Sequence, residues 1–527
     1  MTIANIAQQL APEWILLIGA CVVMLAGLTR PVSRTLVGTL GVATILAALG
    51  ASLTLSHAST PAEVLPGVLI DSLTHYVRWL SLGVGVVLVL VSWHQPVDEE
   101  YGEYMSMVLL SLLGVLLTAS ANDLLVLFFA IELVSIPTYV LIALSRTDAR
   151  ASESAVKYFF LGALSAAILA YGFAFLYGST GTTSLLTMQA GRAVPTLSAP
   201  TASHTLATIG LILAIGGLLF KIAAVPFHVY AADVYEGAAA PITGLLGFVP
   251  KLAGFVALCR LLAAFQWQPG PEILWLIWIV AAATMTVGNV LGLLQRNVKR
   301  MLAYSSIAHS GYMLVAVLVG PVGGRGPLGD GVASMLFYVA VYGVMNLGTF
   351  AVLSCVRIGE READTLDDLA GLARRQPAAA LALSVCVFSL IGLPPTAGFV
   401  GKLYVFGSAF SLSEAHPMHD PMIALAILGV LNAAVGAAYY LRIVATVYMD
   451  DELEPSRSYG GGAVRLAVGL CALPLLLIFA WPGYLRADSL RATTALRRVV
   501  GDHSLADPSA QRPTELVAHD QPRPAHP

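Results

Sequence analysis

The chain is built from apolar runs, each long enough to cross a lipid bilayer. A hydrocarbon core about 30 Å thick takes roughly 20 apolar residues in helical form. About fourteen such runs can be read, near 14–29, 34–55, 73–93, 103–119, 122–145, 153–177, 204–226, 238–262, 272–293, 301–320, 331–357, 378–407, 421–448 and 463–482. Runs this long and continuous specify helices, because barrel strands are about half that length and alternate in polarity. With 57% hydrophobic and 11% charged residues, the chain is excluded from the soluble globular class, where about a quarter of residues are charged. The expectation is an all-α polytopic membrane protein with about 14 transmembrane helices. The opening MTIANIAQQLAPEW has no basic stretch or cleavage site, so the first run is expected to remain as a span.

Within this apolar chain the two kinds of basic residue are sorted. Its lysines are Lys157, Lys221, Lys251, Lys299 and Lys402, and all but Lys299 fall inside apolar runs. The arginines sit mostly in the connections, with Arg78 and Arg442 as exceptions. A desolvated lysine can give up its proton, whereas an arginine in a protein cannot. Interior lysines in an arginine-rimmed protein point to proton movement. Counting basic residues in connections, those after odd-numbered runs hold thirteen and those after even-numbered runs three. This places the odd connections in the cytoplasm and both termini outside.

Two runs are interrupted. Pro226 follows Lys221 in the seventh, and Pro394–Pro395 with Gly392, Gly398 and Gly401 break the twelfth. The paired prolines leave the carbonyls of Leu390 and Ile391 without their usual donors. Broken helices at membrane depth are tolerated only where they are buried or line a wet cavity. Their spacing suggests two inverted five-helix repeats, each with one discontinuous helix, a pattern that marks a transport site. The expected organisation is three N-terminal helices (1–101), a first repeat (102–264), an inverted second repeat (265–450), helix 14 (451–485) and a polar, disordered tail (486–527). Gly178–Ser203 reads as an external loop with a short helix.

The candidate site residues are ionisable groups set in these runs. Glu132 lies mid-run, where a lipid-facing carboxylate would cost roughly 3 kcal/mol or more. It can pair with a lysine or simply be a protonated hydrogen-bonder. Lys221 precedes the first break, and Lys251 sits mid-run after Pro250, too deep for snorkelling to explain it. Lys402 follows the second break. His228 and His309 could relay protons, since an ordinary histidine changes charge near neutrality, although a lone histidine in a helix is often structural. Lys157, four residues after Glu153, is equally an interfacial ion pair. Ser305, Ser306, Tyr342 and Asn346 could hold water between these groups or join helices.

Cys21, Cys259, Cys355, Cys386 and Cys471 are widely spaced and show no metal, cluster or haem motif, so no cofactor and no metal is expected. The GxGxxG match at Gly324–Gly329 has no strand before it and is discarded. With no nucleotide motif and no nucleic-acid signature, the driving energy must come from an ion gradient or a partner subunit.

The Glu132 span, FKIAAVPFHVYAADVYEGAAAPITGLLGFVPK, RMLAYSSIAHSGYML, MNLGTFAV, DDLAGL and LIGLPPTAGFVGKLYVF resemble the antiporter-like membrane subunits of respiratory complex I, the proton-pumping NADH–quinone oxidoreductase. The resemblance covers roughly residues 70–450, and within the family the lysine pattern is similar to the subunit N branch. It implies Glu132 and Lys221 as a coupling pair, Lys251 as central relay and Lys402 as terminal site. It further implies a bacterial inner-membrane location beside subunit M and small membrane subunits, with FMN, iron–sulfur clusters and quinone in other subunits. Two alternatives remain: a subunit of a multi-component sodium/proton antiporter, or a non-pumping scaffold of the membrane arm.

Overall fold

The computed structural model describes residues 3 to 496 apart from 30–31, 56–61, 96–97, 147, 187–201, 322–323, 325, 327, 360, 453 and 495. Among these residues, twelve helices are long and apolar enough to cross a membrane, and three shorter apolar helices accompany them. In chain order the first half holds α1 (Ile3–Gln9), α2 (Ala11–Gly27), α3 (Arg34–Leu55), α4 (Ser72–Val91), α5 (Tyr101–Ser120), α6 (Leu124–Ser145) and α7 (Ala149–Thr180). Next come α8 (Ala202–Lys221), α9 (Ala231–Gly237), α10 (Ala240–Ala264), α11 (Pro271–Leu293), α12 (Val298–Val319) and α13 (Gly331–Cys355). The last are α14 (Leu372–Arg375), α15 (Pro377–Ile391), α16 (Ala397–Phe410), α17 (His419–Met449), α18 (Gly461–Ala480) and α19 (Gly483–Ala492). The chain is a multi-pass, all-α membrane protein.

Helix starts follow local chemistry. The Asp71, Asp123, Asp148, Asn297 and Asp330 side chains each accept a backbone N–H from the first turn of α4, α6, α7, α12 and α13. Position in the bundle runs against simple hydropathy. Every residue of α10 is buried, and α12 and α13 are nearly so, although they are less apolar than the exposed α3 and α18; in a bilayer the most apolar helices can face lipid, while helices carrying polar side chains are gathered inside. By contrast α3 and α18 expose most of their length, and α6 and α7 turn Phe129, Phe160 and Leu164 outward. Of the candidate lysines, Lys251 lies on α10 within this central trio, while Lys221 on α8 and Lys402 on α16 belong to helices packed against it.

Two small sheets stand in the connections: β1 (Ala62–Leu65) pairs with β2 (Val68–Ile70), and β3 (Val356–Ile358) pairs with both β4 (Arg361–Glu362) and β5 (Ser456–Ser458). β4 carries Glu362, which accepts from Lys299 Nζ at 2.6 Å and from the Ala240 N–H at 3.1 Å. It thereby fastens the starts of α10 and α12 together. Burial alone would raise the Glu362 carboxyl, but the Lys299 ammonium and then Arg357 and Arg146 hold it below the usual glutamate range.

The tail departs from expectation at its start. Disorder was expected from Arg486 onward, yet α19 carries Arg486 to a buried position where it donates to Ser334 Oγ at 3.1 Å and stands over the Tyr404 ring. Ser489 and Thr493 add hydroxyl bonds to Tyr76 and Asp330. Polar composition concealed this docking because the polar groups are satisfied by the bundle rather than by water. The rest of the tail, and most of the expected loop between α7 and α8, lie outside the described residues.

Candidate functional site: a polar line through the bundle

The first interruption places Lys221 at the last position of α8, with residues 222–230 non-helical before α9. Its amine donates to Glu132 Oε1 at 3.0 Å and to Ser135 Oγ at 2.7 Å. Glu132 and Ser135 lie about one turn apart on α6, so they share a face. The break frees the next carbonyl, that of Ile222, which accepts from Ser310 Oγ at 2.6 Å. Ser310 in turn accepts from Lys251 Nζ at 2.7 Å. The first break and the central lysine are therefore joined through one serine of α12.

Lys251 also donates to the Ser306 carbonyl, one turn back on α12, and its ammonium lies 5.5 Å from the Tyr342 ring centre. Ser306 Oγ meets the hydroxyls of Tyr342 at 2.8 Å and Tyr235 at 3.2 Å. Asn346, one turn from Tyr342, donates to the Gly244 carbonyl. His309 stands between Ser306 and Ser310 in sequence, its ring 5.1 Å from that of Tyr342. Its Nδ1 lies 2.7 Å from Tyr338 Oη, and its Nε2 3.2 Å from Tyr440 Oη. Tyr440 closes on Ser305.

The second interruption lies between Ile391 and Ala397. Gly392 terminates α15 with φ +85°, a left-handed conformation that favours glycine. Lys402 reaches back across the gap and donates to the Leu390 carbonyl at 3.0 Å and the Ile391 carbonyl at 2.7 Å. These are the two acceptors that the paired prolines were expected to orphan. The ammonium also lies 5.2 Å from the Tyr312 ring centre, whose ring is 5.4 Å from that of His309.

Five of the expected residues thus fall along one line, buried except at the partly exposed Glu132: Glu132, Lys221, Lys251, His309 and Lys402. Two do not. Lys157 is 42% exposed and pairs with Glu153 at 2.7 Å and Asp233 at 2.8 Å, Asp233 being held also by Arg300. His228 is half-buried in the non-helical segment and has no place in the line. Sequence reasoning missed Ser135, Ser310, Tyr312, Tyr338 and Tyr440, whose types are too common in membrane helices to stand out. The i,i+4 pair Ser306/Ser310 flanking His309 was the one available signal.

It also left unrecognised a second set of buried charge pairs, in which only Arg78 stands out in the sequence as a basic residue inside an apolar run. Arg78, fully buried, holds Glu13 through two nitrogens at 2.8 Å each. Arg260 holds Asp71 at 2.6 and 2.8 Å. Lys299, read as a connection residue, is fully buried on Glu362. Among the described residues, no three His, Cys, Asp or Glu side chains gather as metal ligands.

Residues 121–427 match the profile of the family described as NADH:quinone oxidoreductase/Mrp antiporter, TM. Subunit N of NADH-quinone oxidoreductase from Rhodospirillum rubrum is 35% identical over 495 residues, 92% of this chain and 96% of its own. The chain belongs to the NADH-quinone oxidoreductase subunit N family. The Trichlorobacter lovleyi member is 40% identical over 401 residues, covering 74% of this chain and 77% of its own. A chain of respiratory complex I from Thermus thermophilus superposes with TM-score 0.74 at 31% identity, over 90% of this chain and 98% of that one. A chain of the Mrp complex from Dietzia sp. gives TM-score 0.78 at 19% identity, over 95% of this chain and all of that one, a likeness of fold. Long matches at a third identity or more carry the subunit N name, which sets this family above the sodium/proton antiporter alternative.

Proposed function

We propose that this chain translocates protons as subunit N of the membrane arm of a bacterial NADH–quinone oxidoreductase. The observation that carries the reading is the linkage of the breaks to the centre. Lys221 and Lys251 meet through Ile222 and Ser310, and a ring of tyrosines around His309 spans from Lys251 to Lys402. Glu132 and Lys221 form the coupling pair, Lys251 relays, His309 passes protons between the two halves, and Lys402 exchanges with the outside.

Each amine is held by oxygen acceptors that remain in place when it is neutral, so a proton can leave without stranding the nitrogen. The energy comes from quinone reduction in partner subunits, which carry the FMN, iron–sulfur clusters and quinone. The membrane is the bacterial inner membrane, with both termini outside, and the two interrupted helices belong to inverted five-helix repeats. Subunit M and small membrane subunits are the neighbours.

The test is Lys251→Arg against Lys251→Ala in complexes reconstituted into vesicles. Arginine keeps the charge but cannot release it, so both variants are expected to lose at least about tenfold in proton pumping. Full pumping by the arginine variant, with normal assembly, overturns the relay.

A further inference from the structure

A cavity of about 380 Å³ opens where the start of α15 meets the start of α18, strand β5 and Cys355 at the end of α13. Arg375, Gln376, Ser458 and Arg465 form its polar side, and Ala379 and Val468 its apolar side. At about 30 Å³ per water this is room for roughly a dozen waters, enough for a small polar headgroup.

The charges in it are unevenly satisfied. Arg375 Nε is held by Glu452 at 2.7 Å. The Arg465 guanidinium touches Ser458 Oγ at 3.3 Å and has no carboxylate partner among the described residues. Two guanidiniums facing one carboxylate leave net positive charge. The uncapped start of α15, whose N-cap Gln376 makes no side-chain cap bond, adds to it. Beyond the cavity the same two helices turn leucines outward: Leu381 on α15, and Leu466, Leu470 and Leu473 on α18 are all exposed. The cavity therefore grades from basic to apolar along helices that enter the bilayer, at the end of the bundle where the arginine-rich connections gather.

We propose that this cavity binds the phosphate headgroup of an anionic phospholipid, with an acyl chain lying along the groove between α15 and α18. A phosphodiester offers the acceptors that two guanidiniums and a serine hydroxyl require, and basic pockets between membrane helices suit such headgroups. The site has a mechanical consequence. α15 runs from this cavity to Leu390 and Ile391, whose carbonyls hold Lys402. A bound lipid fastens one end of the helix whose other end forms the Lys402 cradle.

The test uses the assembled complex, stripped of loosely held lipid and supplied with phosphatidylglycerol carrying a photoreactive acyl chain. The parallel arms use the phosphatidylcholine analogue and, as competitor, inorganic phosphate. Label is expected on peptides spanning 375–385 and 462–474, stronger from the anionic lipid and not displaced by phosphate. Removing one guanidinium is worth about fivefold in lipid affinity, so Arg465→Gln should lower the labelling by that factor. The double variant with Arg375→Gln should lower it further. Arg465 is exposed and makes no ion pair among the described residues, so the single variant carries the test if the double one fails to assemble. Equal labelling by the zwitterionic lipid, or unchanged labelling in Arg465→Gln, overturns the proposal. Displacement by inorganic phosphate assigns the cavity to a free anion, and cross-linking of a neighbouring subunit there assigns it to a protein contact; either also overturns it.

Discussion

The two helix interruptions solve the same problem with opposite means. At the first, Lys221 lies before the gap and turns to a carboxylate of another helix, Glu132, with Ser135 as second acceptor. At the second, Lys402 on α16 lies beyond the gap and turns back to the freed carbonyls at the end of α15, the other half of the same interrupted run. A carboxylate is a full countercharge that can itself titrate or move. Two carbonyls at a helix C-terminus are fixed partial charges of the kind that favour a cation there. The first lysine is thus coupled to whatever perturbs Glu132, whereas the second depends only on the shape of its own break. An input end and an exchange end are well served by that division.

The comparison breaks most sharply at Glu132. Glu132→Gln removes the countercharge and leaves a buried ammonium with neutral acceptors, where losing one partner of a buried pair costs about 3 kcal/mol or more. Proton pumping in reconstituted vesicles is expected to fall at least about tenfold, while the same measurement on Lys157→Met, outside the line, falls by less than about twofold. Equal losses in the two variants would erase the distinction drawn between them.

Lys402→Met comes next. It orphans two buried carbonyls at about 1–3 kcal/mol each, so the expected signature is structural as well as functional. Amide exchange should accelerate around residues 388–396, whereas Lys221→Met should leave that segment unchanged. Gly392→Ala tests the shape of the break directly. Its φ of +85° strains an alanine, and the added Cβ would come within 2.9 Å of Lys402 Cδ. A destabilisation of about 1–2 kcal/mol is expected, read as a lowered midpoint in thermal unfolding of the purified complex. The smallest effect is at Ser135→Ala, which removes one acceptor from Lys221 but leaves Glu132. About 1 kcal/mol is expected, with pumping reduced only about two- to fivefold.

How much of this was legible beforehand varies by residue. The orphaned carbonyls of Leu390 and Ile391 could be named from Pro394 and Pro395 alone, because proline's missing donor is a local fact. That Lys402 would be their donor could not, since a lysine eleven or twelve residues away meets them only if the chain folds back across the gap. Arg78 was visible as an oddity in an apolar run, but its partner Glu13 looked like a terminal residue; they are 65 positions apart in sequence. Lys299 was misplaced for a related reason. Its neighbours in sequence are polar, yet β4 folds over it and supplies Glu362.

The sequence by itself determined that this chain spans a membrane repeatedly, where its helices start and break, and that a few ionisable groups, Glu132, Lys221, Lys251, His309 and Lys402 among them, lie within apolar runs. These follow from the length of apolar runs, from capping residues and from proline, all of which act within a few residues. Only the tertiary structure decided which buried charges are props held by a carboxylate away from the line, as at Arg78, Arg260 and Lys299, and which are held along it. That choice depends on contacts between helices distant in sequence, and in a low-dielectric interior the partner, rather than the residue, sets what a charge can do.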